Sequence, residues 1–275
     1  MIGFLLRKTL YDLWDNMFKI LFVNVGFAAL AAIPVFLPRL AAKLIDSQAL
    51  EIALSVFGIL ICSIYLAAAA YTIKSISDYG SFSFRDLLKN VKTAWPAGLV
   101  MGFLVCVLFL VVTIIIPFYM SVESPVGLVL AAIIFWTTIF GVLSFQFFFT
   151  VCVRLCTPAE NEAPDARSSS GKNLIKAFKK CMLITLDNSG FVFFSLLYNI
   201  AALILSVILA FMLPGPAGIL LYLDEALRLR LLKYDWLEAN LDANRRKIPW
   251  DALLIDEREK TGTRNLKNFI FPWKD

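Results

Sequence analysis

The chain contains no histidine. That absence removes the commonest general base, the serine–histidine triads and every histidine-ligated metal site. Enzyme chemistry would have to run on carboxylates, lysine or cysteine. Charge is scarce as well: 17% of the 275 residues are Asp, Glu, Lys or Arg, against about a quarter in a soluble domain. No glycine-rich phosphate loop occurs, which argues against ATP hydrolysis by this chain. The five cysteines, Cys62, Cys106, Cys152, Cys156 and Cys181, show no CxxC spacing and fall mostly inside apolar blocks. They read as small buried hydrophobes and not as a zinc site or disulfide framework. Met1 to Leu13 interleaves Arg7, Lys8 and Asp12 with apolar positions and has no small-residue cleavage site, so no removable signal peptide is expected. These absences leave no catalytic, cofactor-binding or metal-binding residue to nominate, and a non-enzyme is expected.

What the chain has instead is apolar length. Sixty per cent of its residues are hydrophobic and its mean hydropathy is +0.77. A hydrocarbon core about 30 Å thick needs about 20 residues of helix, so the useful measure is distance without a charge. Five runs qualify: Ile20 to Pro38, Ile52 to Ile73, Thr93 to Val122, Ser124 to Val153, and Asn188 to Leu223. The last is too long for one span, and Pro214-Gly215-Pro216 divides it. The pattern predicts an all-α polytopic helical membrane protein with six transmembrane helices, at about 18–38, 52–73, 96–118, 126–153, 189–213 and 217–234. Residues 1–236 form this domain and residues 237–275 a tail. The sixth segment is the weakest, because Asp224 and Glu225 interrupt it early.

Lysine and arginine flank the spans and form no exposed stripe with aromatics between, so the net charge of +5 points to orientation and not to a nucleic-acid partner. With six crossings, Arg7, Lys8, Lys19, Lys74, Arg85, Lys89, Lys92, Arg154 and the lysines between 172 and 180 share one side with the basic tail; Arg39 and Lys43 lie opposite. The positive-inside rule then places both termini in the cytoplasm, as in a protein of the bacterial inner membrane. Were the sixth segment not to cross, the basic tail would lie outside.

Amphipathic stretches precede the first, third and fifth spans. Leu6, Leu10, Leu13 and Met17 oppose Arg7, Lys8 and Asp12; Phe84, Leu87, Leu88, Val91 and Trp95 oppose Arg85, Asp86, Lys89 and Lys92. Leu174, Ile175, Phe178, Met182 and Leu186 oppose Lys172, Lys176, Lys179 and Lys180. Helices of this kind lie in the headgroup layer on the cytoplasmic side. Ser83 with Asp86 makes a capping box. The order "amphipathic helix, span, span" occurs three times, and Asp15-Asn16 echoes Asp187-Asn188, as an internal repeat would. Thr157 to Gly171, with Pro158, Pro164 and Ser168 to Ser170, reads as a flexible linker. The tail carries Ile248-Pro249-Trp250-Asp251 and a closing Phe269-Ile270-Phe271-Pro272-Trp273. Such clusters suit docking, onto the cytoplasmic face or onto a partner.

The run Tyr71 to Lys74 through Tyr79-Gly80-Ser81-Phe82-Ser83-Phe84-Arg85-Asp86-Leu87-Leu88-Lys89 resembles the region after span two in the YesL-like family of bacterial membrane proteins. Leu174 to Leu197 and Tyr222-Leu223-Asp224-Glu225-Ala226-Leu227-Arg228 are similar to that family's later helices. The resemblance covers residues 1 to 236. It implies a six-span protein met in the setting of carbohydrate uptake and utilisation, and it carries over no catalytic residue. The tail after Leu237 departs from the family's shorter pattern.

The charges most in need of explanation are Asp224, Glu225 and Arg228, since each charge in a span costs about 2.5 to 3.5 kcal/mol on insertion scales. Their spacing lets all three meet on one helical face, opposite Leu220, Leu223, Leu227 and Leu231. They would serve either as the lining of a solute or proton path or as an ion pair that fixes packing. Asn24, Gln146 and Asn199 are uncharged polar groups within spans, where hydrogen bonds between helices are worth about 0.6 kcal/mol on average. Two functions fit: a non-catalytic accessory or assembly component, contacting membrane transport proteins through cytoplasmic helices and tail, or a small-solute permease or channel. The lipid bilayer is the one partner both require, and neither needs a cofactor.

Overall fold

In a computed structural model the described residues are 1–45, 47–155, 170–240, 244 and 248–262. They form twelve α-helices and, among them, no strand. Five stretches are long and apolar enough to cross a membrane: Met17–Ala42, Gln48–Ser77, Phe84–Ser121, Pro125–Phe145 and Ser189–Ile208. In the most apolar windows of Phe84–Ser121 and Pro125–Phe145 only 6% and 11% of residues are buried, leaving Phe103, Phe109, Leu128 and Trp136 open. Apolar surface on that scale belongs in lipid and not in water. The chain is an all-α polytopic membrane protein.

Each Asp-Asn pair makes an elbow. Helix α1 (Ile2–Asp15) stops at Asn16, where φ is −109°, and α2 (Met17–Ala42) begins directly after it. The Asn16 side chain donates to the Asp12 carbonyl at 3.1 Å. The same break separates α8 (Ser170–Asp187) from α9 (Ser189–Ile208): Asn188 has φ −132°, and its amide donates to the Ile184 carbonyl at 3.3 Å. In both cases the side chain competes with the backbone for a carbonyl four residues back, which favours a turn over continued helix. The middle amphipathic stretch has no such pair and no such break. Helix α4 (Phe84–Leu110) starts with the Ser83–Asp86 capping box and runs through Pro96 into span three. A π-turn (Val111–Ile115) then leads into α5 (Ile116–Ser121). Together the 38 residues extend about 57 Å. The π-turn falls just before Pro117, whose missing N–H disturbs the ladder there. At Gly98 an added Cβ would strike the backbone of Ile64, so glycine permits the close contact of α4 with α3 (Gln48–Ser77).

The stretch 126–153, expected as one span, is two helices. Helix α6 (Pro125–Phe145) ends where the Gln146 amide folds back onto the Leu143 carbonyl at 2.9 Å. Helix α7 (Phe148–Leu155) follows, with every residue from Phe148 to Val153 buried.

Helix α10 (Gly215–Ala239) is not among the five apolar stretches, because it carries charge; 13 of its 25 residues are nevertheless buried. It packs against α1, α2, α3, α7 and α9. Its first turn is satisfied inside the bundle: the Gly215 N–H donates to Ser206 at 2.9 Å, the Ala217 N–H to Asn24 Oδ1 at 2.9 Å and the Gly218 N–H to the Pro214 carbonyl at 3.0 Å. Pro216 has no N–H to satisfy. A helix start remote from water needs such accounting. At the other end of the chain, α11 (Trp250–Leu253) and α12 (Ile255–Thr261) fold back on the bundle, with Leu254 fully buried and Trp250 packed on the core. The first Pro-Trp cluster of the tail thus docks on its own protein. The closing cluster at 269–273 and the linker up to residue 169 lie outside the described residues.

Candidate functional site

The polar end of the bundle brings together charges from five elements. Asp224, 1% exposed, accepts from Arg154 Nε of α7 at 2.8 Å, and also from Arg154 Nη2 and the Ser77 hydroxyl. Glu225, equally buried, accepts from Lys8 of α1 at 3.2 Å and from the Thr9 hydroxyl. Lys8 also reaches Asp12 at 2.5 Å and the Ser77 carbonyl at 3.1 Å. Arg228 donates to Glu257 of α12 at 2.6 Å, to Asp78 at 3.2 Å and to the Ser77 carbonyl. Asp78 closes the ring by accepting from Arg154 at 3.0 Å. Each α10 charge therefore meets a different element. Helical spacing permits Asp224 and Arg228 to pair, but α10 is surrounded, and charges on adjacent helices stand nearer than those along its own face.

Tyr79 organises the exposed side of this cluster. Helix α3 ends in a two-bond turn, Gly80 N–H to Ser75 at 2.7 Å and Tyr79 N–H to Ile76 at 2.9 Å. This puts Tyr79 at φ +62°, a position usually given to glycine. A tyrosine there costs on the order of 1 kcal/mol in backbone strain. The ring lies 4.3 Å from Lys8 Nζ and 5.1 Å from the Arg228 guanidinium carbon, cation–π distances. The hydroxyl donates to Glu257 at 2.8 Å and lies 3.1 Å from Thr261 Oγ1. Burial pushes the Tyr79 phenol well above its ordinary value of 10, reinforced by Glu257 and opposed by the Thr261 bond and by Arg228. Beside it lies a cleft of about 160 Å³, lined in part by Tyr11, Asp12, Asp15, Lys260 and Thr261. Asp12 thus touches both the cleft and the buried Lys8.

The uncharged residues go elsewhere. Asn24 donates to the carbonyls of Met212 at 2.8 Å and Pro214 at 2.9 Å while its oxygen caps Ala217, so it ties α2 to the α9–α10 turn. Gln146 accepts from Asn199 at 2.9 Å and donates to the Val192 carbonyl at 3.1 Å, joining the end of α6 to α9. Asn199 Oδ1 has no partner. The six predicted residues therefore occupy three separate places. Sequence reasoning missed Lys8, Thr9, Ser77, Asp78, Tyr79, Arg154 and Glu257. One signal was available: two carboxylates inside a span require cations from elsewhere, and Arg154 closes a long apolar run.

A second polar cluster lies where the α8–α9 elbow meets α10. Lys233 donates to Asp187 and to Asn188 Oδ1, both at 2.9 Å, and the Tyr234 hydroxyl donates to Asp187 at 2.9 Å while accepting from Asn188 at 2.6 Å. Among the described residues no three Cys, Asp or Glu side chains are grouped to hold a metal ion. No family model matches the chain, and neither a curated protein nor a solved structure does.

Proposed function

We propose that this protein is a non-catalytic accessory or assembly component of the bacterial cytoplasmic membrane. In this reading both termini are cytoplasmic and α10 is the sixth crossing, wrapped by the other helices. The supporting observation is that Asp224, Glu225 and Arg228 are all engaged by α1, α3, α7 and α12, which leaves none of them facing an open path. Buried ion pairs of this kind hold helices in one arrangement. Work beside a carbohydrate uptake system rests on the resemblance to YesL-like proteins, with the amphipathic helices and tail as the contacting parts.

The test is reconstitution into vesicles together with affinity purification from native membranes. The expected results are no flux of sugars or small ions above protein-free vesicles, and recovery of an uptake component that is lost when residues 250–262 are removed. A reporter fused after Asp275 should signal from the cytoplasm. A small-solute permease is the second reading. It is favoured by the surplus of carboxylates at the polar end, where Asp12, Asp78, Asp224, Glu225 and Glu257 face three cations, Lys8, Arg154 and Arg228. A flux abolished by Asp224→Asn with Glu225→Gln would establish that reading and overturn the first.

A further inference from the structure

Arg230 is the α10 cation that neither polar cluster uses. Its guanidinium carbon lies 3.8 Å from the centre of the Phe191 ring of α9 and 5.7 Å from that of Trp250, the first residue of α11. Stacking of this kind suits a flat, delocalised cation and fixes the orientation of its fork. The hydrogen bonding is incomplete. Nε is buried without an acceptor, and the charge within electrostatic reach of the guanidinium is Asp187. The acid in the adjoining cluster, Asp187, is committed to Lys233 and Tyr234, each at 2.9 Å. Since Arg230 as a whole is only partly buried and Nε alone of its nitrogens is a buried orphan, the terminal Nη edge faces outward. A guanidinium offers five N–H donors and no acceptor, and buried or half-buried polar groups without partners ask for an explanation.

We propose that Arg230 anchors a phosphate-binding site, its two Nη groups forming a bidentate pair with two oxygens of a phosphate ester. The fork geometry matches such an oxyanion better than any monodentate acceptor. The depth matches as well. Arg230 lies beside the elbow at Asn188, where α8 enters the bundle with an exposed face that mixes Ile175, Leu183 and Leu186 with Lys176 and Lys179. An amphipathic helix of that make-up lies at the level of headgroup phosphates, and Tyr234 and Trp250 are residues of the same layer. The phosphate can belong to a lipid headgroup or to a soluble ester, and the site chemistry is the same for both.

The experiment uses the full chain, purified in detergent and shown monodisperse, with two probes. Glycerol 3-phosphate is titrated calorimetrically, and retention of phosphatidic acid against phosphatidylcholine is read by native mass spectrometry and in vesicles containing either lipid. Wild type is expected to bind one probe. Retention of phosphatidic acid alone identifies the lipid source, and binding of glycerol 3-phosphate the soluble one. Arg230→Met should weaken that binding by about tenfold or more, as loss of a charge-assisted pair does. Arg230→Lys, which keeps the charge and lacks the flat fork, should weaken it several-fold, whereas Lys176→Met on the exposed face of α8 should leave glycerol 3-phosphate binding as it is. Binding of neither probe by wild type overturns the site, and so does unchanged binding by Arg230→Met. If Arg230→Met fails to fold, Arg230→Lys decides: affinity equal to wild type overturns the proposal.

Discussion

Helix α10 makes two ion pairs with the amphipathic helices beside it, and they are reversed in sign. At the first, α1 supplies the cation: Lys8 meets Glu225, with side chains 2% and 1% exposed. At the second, α8 supplies the acid: Asp187 meets Lys233, and the two are 40% and 9% exposed. The chemistry is alike and the surroundings are not. A pair removed from water leaves a stranded charge when one partner is lost, while a half-exposed one is rescued by solvent. Similar contacts therefore carry unequal weight, and the difference can be measured.

The largest effect should follow Lys8→Met, which strands Glu225 and is expected to destabilise the chain by about 3 to 5 kcal/mol in unfolding from detergent. Adding Glu225→Met should restore much of that loss; a double variant worse than the single one would contradict a buried pair. Next comes Asn24→Leu, which frees two carbonyls and one N–H at the α9–α10 turn and should cost about 2 kcal/mol. Tyr79→Phe keeps the ring over Lys8 and loses the hydroxyl bonds, for about 1 kcal/mol at neutral pH. Its pH dependence sharpens the point. A phenol raised in the folded state contributes stability that is complete below its ordinary value of 10 and fades as pH climbs toward the folded value. Wild type should thus lose stability above pH 10 in a way that Tyr79→Phe does not. Smallest of all is Lys233→Met, at about 1 kcal/mol or less. If it matches Lys8→Met, the contrast between the two pairs fails.

Much of the fold was legible because lipid imposes simple rules. Chargeless runs of sufficient length marked five stretches able to cross a membrane, and the Ser83 capping box marked the start of α4; the Asp-Asn pairs stood out as a repeated dipeptide, and the turn that each makes became visible in the structure. The break at Gln146 was less visible. It depends on a side-chain amide meeting the Leu143 carbonyl and, from α9, the Val192 carbonyl, and the second of these is 46 residues away. Of the candidate site, Asp224, Glu225 and Arg228 stood out as charges in an apolar setting. Their partners did not, since Lys8 reads as part of the wet face of α1 and Arg154 as a topology signal. Tyr79 was hidden for another reason: nothing in sequence marks a tyrosine held at φ +62° where glycine is the usual choice.

By itself the sequence determined the solvent and where the long apolar helices run, because the transfer of apolar side chains and the internal pairing of backbone amides depend on local runs of residues. Only tertiary structure decided which charges neutralise which, that α10 sits inside the bundle, and that the tail returns to cover Arg228. Those outcomes turn on distances between segments up to 217 residues apart, and electrostatic energy depends on separation in space and on burial, neither of which is written along the chain.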